Sequence, residues 1–263
     1  MGEPKVIRSV YQTAMSMLVQ QKKQETHANN LANVETAGYK AQALVSEASF
    51  SEVFVNHASG SGGGLAVLGN MPMGVRVAGL ETEWSQGMLV ETGNNMDLAL
   101  EGSGFFGFET PAGIVYSRNG ELHQNQEGVW VDKSGYSLLT RTPNGELRTV
   151  RSVPGEVMTV RASGEIVQDL GNVLGSIQVF GLPAGENAGL EVLDGGYVRI
   201  AQGNLVEVEG TTVRQGFKEN SNVDSTTAMI DMMSTGRLLQ TQQRILSTLD
   251  ETLNRAVNEI GKV

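Results

Sequence analysis

Apolar positions near the C-terminus recur with a seven-residue period: Met232, Leu239, Leu246, Leu253 and Ile260. Three residues after the last two leucines stand Leu249 and Ala256, whereas Thr235 and Gln242 put polar groups at the equivalent earlier points. A stripe of this kind predicts a long helix that buries one side against other helices. Ser221, Asn222 and Asp224 precede it, all residues suited to capping a helix, with Ser221 and Asp224 at capping-box spacing. At the opposite end of the chain, Ile7, Val10, Ala14 and Met17 form a second stripe. It turns polar at Gln21 and Gln24 before resuming at Ala28 and Leu31. This predicts an amphipathic helix with a weak centre, able to pair with the first if the termini meet. Two helices make only a thin layer, and helices take most of their stability from packing, so ordering of the ends is expected to be coupled to assembly.

Between the ends the pattern changes to alternation, as in Gly128-Val129-Trp130-Val131-Asp132 and Ser176-Ile177-Gln178-Val179-Phe180. Three similar turn sequences punctuate it: Asn119-Gly120-Glu121-Leu122, Asn144-Gly145-Glu146-Leu147 and Ser163-Gly164-Glu165-Ile166. Each predicts a hairpin turn. The expected fold class is α+β: N- and C-terminal helices, discontinuous in sequence, paired as a coiled coil, with a mainly antiparallel β domain between them. In residue terms, 1–40 and 221–263 form a helical assembly domain, 41–96 a connecting segment, and 97–220 a β-rich outer domain. The run 59–64, composed only of Ser and Gly, reads as a flexible loop.

Composition sharpens this division. Residues 5–33 contain neither Gly nor Pro, while 41–220 hold 29 of the 33 glycines and carry 21 acidic against 10 basic residues. The overall formal charge of −10 argues against a nucleic-acid groove and against adsorption to an anionic membrane. The absence of cysteine excludes disulfides, thiolate metal sites and thiol nucleophiles. No apolar run approaches the roughly 20 residues of a membrane-spanning helix. The N-terminal stretch, interrupted by Arg8, Gln12, Gln20, Gln21, Lys22 and Lys23, does not read as a cleaved signal peptide.

Candidate chemistry is sparse. Gly102-Ser103-Gly104-Phe105-Phe106-Gly107 matches the dinucleotide fingerprint, but that motif works only where a helix N-terminus follows to meet the pyrophosphate. Here Thr110-Pro111-Ala112-Gly113 reads as a turn, followed by the strand-like Ile114-Val115-Tyr116. His27, His57 and His123 are far apart in sequence and show no metal-ligand spacing. No nucleophile elbow, phosphate loop or zinc-protease motif is present. No catalytic residue, cofactor or metal is therefore expected, and the chain reads as structural rather than enzymatic. An extracellular β-rich binding module is a second reading, with Trp84 and Trp130 as its available aromatic platforms.

Three blocks carry a resemblance. Ala28-Asn29-Asn30-Leu31-Ala32-Asn33-Val34-Glu35-Thr36-Ala37-Gly38-Tyr39-Lys40 resembles the A-N-N-[IL]-A-N-x-x-T-x-G-[FY]-K box of flagellar rod and hook proteins, with Glu35 where Asn is commonest. Asp97-Leu98-Ala99-Leu100-Glu101-Gly102-Ser103-Gly104-Phe105-Phe106, then Tyr116-Ser117-Arg118-Asn119-Gly120, is similar to the D-L-A-I-x-G-x-G-[FY]-F and Y-[ST]-R-[ND]-G elements of the same family. Gly216-Phe217-Lys218-Glu219-Asn220-Ser221-Asn222-Val223-Asp224 is similar to its lead into the C-terminal helix. The blocks run in family order along nearly the whole chain.

The resemblance to the flagellar basal-body rod family implies a self-assembling subunit of the rod, proximal or distal. Its terminal helices would form the inner layer of a helical tube that transmits torque from motor to hook. It also implies self-contacts, contacts with adjacent rod and hook subunits, and export through the flagellar type III apparatus. Location in the basal body follows, with no nucleic-acid partner and no membrane insertion. A hook or hook-junction subunit is the alternative within this class. Two departures stand out: the polar lead Met1-Gly2-Glu3-Pro4-Lys5, and Gly236-Arg237-Leu238-Leu239 where the family tends to read Q-R-A-[YF].

Overall fold

A computed structural model of the chain describes residues 5–49, 51–56, 66–72, 74–152, 158–168, 171–181, 190–200, 206–207, 210–255 and 258. The chain divides into two compact units. One comprises residues 1–32, 42–83 and 224–263, the other residues 33–41 and 84–223.

The first unit is built on two helices, α1 (Lys5–Ala32) and α2 (Ser225–Arg255), which pack against each other. They run antiparallel. Gln242 Nε2 on α2 donates to Ser16 Oγ on α1 at 2.8 Å, and the space beside Gly236 faces Gln24. Asp224 begins α2 as its N-cap: its Oδ1 accepts from the backbone N–H of Thr226 at 3.0 Å and its Oδ2 from the Thr227 hydroxyl at 2.6 Å. Ser221, expected to cap through a Ser221–Asp224 box, lies three residues too early. Its hydroxyl instead accepts from the Val223 N–H at 3.2 Å, closing a local turn.

The same unit contains a two-stranded antiparallel ribbon. Strands β1 (Gln42–Ala48) and β2 (Ser51–Asn56) form one side, and β3 (Ala66–Pro72) and β4 (Val75–Thr82) the other. β1 pairs with β4 and β2 with β3, each pair antiparallel and shifted by one residue at one place. These strands lie within the span expected to connect the domains. The 59–64 loop is outside the described residues.

In the second unit, β5 (Leu89–Glu91) pairs with strand Phe217–Glu219, and β6 (Leu98–Glu101) with strand Thr212–Gln215. A larger antiparallel sheet is centred on β7 (Phe105–Thr110) and β8 (Gly113–Ser117). β7 also pairs with strand Ser137–Arg141, which carries the sheet on to Val173–Ile177 and Glu165–Gln168. Leu98, Leu100, Phe106, Phe108, Trp130, Leu138 and Ile166 fill its core, each almost wholly removed from water. Burial of an aliphatic or phenyl side chain contributes about 1.5–3 kcal/mol, so these residues are the main source of the unit's packing energy. Trp130 Nε1 donates to Ser152 Oγ at 3.2 Å, leaving no unpaired donor in that core site.

Two of the three expected turns close hairpins, each with a glycine N–H bonded back three residues: Gly145 to Thr142 O and Gly164 to Arg161 O, both at 2.8 Å. The glycine alone takes positive φ (+86° and +85°), while no non-glycine residue among those described does. The third, Asn119-Gly120, is not a hairpin. Gly120 has ordinary φ and packs so tightly on β6 that a Cβ there would sit 2.0 Å from Leu98 O. Its carbonyl accepts from the Leu98 N–H at 2.9 Å.

Candidate assembly site and signature junction

Along α2 the heptad stripe marks the least exposed line of the helix. Met232, Leu239, Leu246, Leu249 and Leu253 are half-buried, Ala228 and Thr235 are buried, and the intervening positions are largely exposed. On α1 the most buried line runs through Val19, Thr26 and Asn30. The a/d stripe lies to one side of it: Val10 and Met17 are half-buried and Ala14 is exposed, while Ile7 lies on the first turns of α1. Ile260 is outside the described residues. The helix pair thus leaves apolar surface uncovered. Tyr11 and Leu18 on α1, and Met229, Ile230, Met233, Leu238 and Ile245 on α2, are each 45–61% exposed. Two helices cannot bury more than one side of each other, so such side chains are surface for which the single chain has no cover.

The box at the end of α1 has two tasks. Asn30 is buried and uses its side-chain amide as a strand would: Nδ2 donates to Gln42 O at 2.8 Å, and Oδ1 accepts from the Gln42 N–H at 3.0 Å. Asn29 and Ala32 are exposed and Leu31 is half-buried. Within the second unit, Asn33 Oδ1 accepts from the Thr36 hydroxyl at 3.1 Å, stabilising the turn after the helix. Gly38 then takes φ +69° and donates its N–H to Glu219 O at 2.8 Å. A Cβ at Gly38 would lie 2.4 Å from Asn119 N. Tyr39 is buried beside it, and burial raises the pKa of its phenol.

Lys40, the last residue of the box, reaches Glu219 of the third block, which in turn pairs with Arg118 of the second. Glu219 Oε1 accepts from Lys40 Nζ at 2.5 Å and from the Gly87 N–H at 2.9 Å. Its Oε2 accepts from Arg118 Nη1 at 3.2 Å. All three side chains are at most 5% exposed. Two cations share one carboxylate, and each also donates to a carbonyl: Lys40 Nζ to Ser85 O at 2.7 Å, and Arg118 Nη2 to Gly102 O at 2.7 Å. The Arg118 guanidinium also lies 5.6 Å from the centre of the Phe105 ring. Burial lowers the Arg118 pKa against the opposing pull of Glu219. Asn222 adds a neighbouring tie, accepting from the Ala41 N–H at 2.7 Å and donating to Ser85 Oγ at 3.0 Å.

The remaining signature residues support this junction. Asp97 is buried, its Oδ1 accepting from Asn94 Nδ2 at 3.0 Å and its backbone carbonyl from the Gly216 N–H at 2.8 Å. Gly102 and Gly104 lead into strand β7, not into a helix N-terminus. A Cβ at Gly104 would stand 2.5 Å from Val179 Cγ1. Phe105 stacks edge-on against Trp84 at 5.3 Å, Phe106 is fully buried, and the Asn119 side chain accepts from the Glu121 N–H at 3.0 Å. Trp130, one of the two aromatic platforms an open binding module would need, is fully buried. Among the described residues no cluster of three or more His, Asp or Glu is arranged to hold a metal.

Comparison with known proteins matches the same three regions. Residues 12–40 match the family described as flagella basal body rod protein. Residues 99–179 match the flagellar hook protein FlgE/F/G D1 domain, and residues 214–259 the flagellar basal body rod FlgEFG protein C-terminal family. The chain is 30% identical to the flagellar basal-body rod protein FlgG of Bacillus subtilis, over 96% of this chain and 99% of that one. It is 27% identical to FlgG of Agrobacterium fabrum, over 93% and 96%. It is 24% identical to the flagellar basal-body rod protein FlgF of Mesorhizobium japonicum, over 96% and 98%. No helix among the described residues is long and apolar enough to cross a membrane. The chain belongs to the flagellar basal-body rod protein family.

Proposed function

We propose that this chain is a structural subunit of the bacterial flagellar basal-body rod, polymerising through its terminal helices into a helical tube that carries torque from motor to hook. The observation that carries this reading is the uncovered apolar surface on α1 and α2, from Tyr11 and Leu18 to Ile245. Each such side chain that becomes fully buried against a neighbouring copy contributes about 1.5–3 kcal/mol, so a few per contact suffice for a stable polymer. Contact between unlike patches of successive copies does not close on itself, and a tube grows rather than a ring of fixed size.

The paired helices then form a coiled-coil inner layer, and adjacent rod and hook subunits join at the two ends of the polymer. Delivery through the flagellar type III export apparatus completes the proposal. A hook or hook-junction subunit is the second reading, favoured by the match of residues 99–179 to a hook-protein domain. The full-length similarity to rod proteins supports the first.

The test is substitution on the helices with the β unit as an internal control. Leu246→Asp and Leu253→Asp, on the helix-packing stripe, and Ile245→Asp, on the exposed side, should each abolish incorporation into basal bodies and swimming. Near-ultraviolet circular dichroism of the core aromatics should stay unchanged. Normal assembly of all three variants would rule the proposed helical layer out.

A further inference from the structure

A heptad stripe has a weakness that α2 displays. Met232, Leu239, Leu246 and Leu253 are nearly interchangeable, so sliding α2 along α1 by one heptad, roughly 10 Å at 1.5 Å per residue, keeps leucine on the seam. The apolar stripe favours pairing without fixing the offset. The intermediate positions do differ, and at Gln242 a polar group crosses to the partner helix.

Gln242 Nε2 donates to Ser16 Oγ at 2.8 Å, across 226 positions of sequence. Its Oε1 is buried with no hydrogen-bond partner among the described residues. A buried acceptor left unpaired is unfavourable, and leucine at this position would remove that cost while extending the stripe. A polar side chain kept on an apolar seam at the expense of stability serves to specify register.

We infer that Gln242 and Ser16 form the register pin of the α1–α2 pair, setting the single offset at which the terminal helices meet. In the native register the two face each other. If α2 slides so that Leu249 comes opposite Ser16, Gln242 is carried to Lys23. Gln242 Nε2 then loses the Ser16 hydroxyl, and Ser16 faces a leucine. A slide the other way draws Leu249 and Leu253 beyond the first turn of α1 and loses their packing. The inference concerns pairing within one chain and holds whatever the helices go on to build.

The absence of native cysteine allows a direct test in the full-length protein. Gln24→Cys with Gly236→Cys reports the native register, since Gly236 faces the Gln24 side chain across the helix pair. Gln24→Cys with Gln243→Cys reports a slide of one heptad. On oxidation, the otherwise wild-type chain should cross-link only through the first pair. With Ser16→Ala and Gln242→Leu added, the second pair should form at least tenfold more disulfide than before. Gln242→Ala alone serves as a second variant, with helix content followed by circular dichroism. The pin is refuted if the slid pair stays at the wild-type level in both variants, or if the wild-type background already cross-links through both pairs.

Discussion

Lys40 and Glu219 are 179 positions apart in the chain and meet at 2.5 Å inside the second unit, with Arg118 on the other oxygen of the same carboxylate. One residue from each of three separated sequence blocks therefore ends in a single buried charge cluster. Removing charges from water costs as much as their attraction returns, so a buried cluster contributes specificity more than stability. What it specifies is the path of the chain: residues 38–41, which follow α1, are held against strand Phe217–Glu219, which precedes α2.

Loss of the shared carboxylate should therefore be the most damaging change at the junction. Glu219→Gln leaves two buried cations facing each other and is expected to destabilise the second unit by about 3–5 kcal/mol. Lys40→Met leaves the Arg118–Glu219 pair intact and should cost less. Urea unfolding followed by tryptophan fluorescence measures both, and the reverse order would contradict the assigned geometry.

Gly38 should tolerate no side chain. Its φ of +69° alone costs roughly 1–2 kcal/mol for an L-residue, and the added Cβ would lie 2.4 Å from Asn119 N. Gly38→Ala is expected to lower stability by more than the conformational figure. Gly79→Ala, with nothing within 4 Å of its Cβ, should stay within about 0.5 kcal/mol. Thermal unfolding of the two variants side by side is the check.

Acid should loosen the start of α2. The hydrogen bond from the Thr227 hydroxyl, then that from the Thr226 N–H, holds the Asp224 pKa below its ordinary value. A carboxylate whose pKa is depressed on folding stabilises above its unfolded pKa, about 3.9, and that contribution disappears as pH falls through the lower folded value. Asp224→Asn keeps an acceptor at the cap but cannot titrate. Helix content between about pH 5 and pH 2 should fall less steeply in Asp224→Asn than in the wild type, measured by ellipticity at 222 nm.

The helical ends were legible because an apolar period of seven survives whatever the helix packs on, and on α2 the stripe coincides with the least exposed line. On α1 the stripe and the most buried line diverge. Val19 and Thr26 face inward, while a chain read alone has no way to register which side of a weakly amphipathic helix its partner covers. The ribbon of β1 to β4 went unread for a related reason. Most side chains of β1 and β4 are exposed, as at Val45, Val75, Val77 and Leu80, so little inward alternation is imposed on those two strands. The charge cluster left only a faint trace, Lys40, Arg118 and Glu219 standing one in each of the three blocks beside other charged residues. Pairing across 179 positions has no local signature that would join them. The Asn119-Gly120 turn misled because tight packing on Leu98, rather than positive φ, accounts for that glycine.

The central claim, that the terminal helices build the rod, is tested most directly by cryo-electron microscopy of basal bodies isolated from cells that make this chain. The account predicts rod density into which successive copies fit with α1 and α2 innermost, and with Leu18, Ile230 and Ile245 covered by neighbouring copies. Basal bodies whose rod lacks the chain, or contains it with those side chains facing solvent, would contradict it.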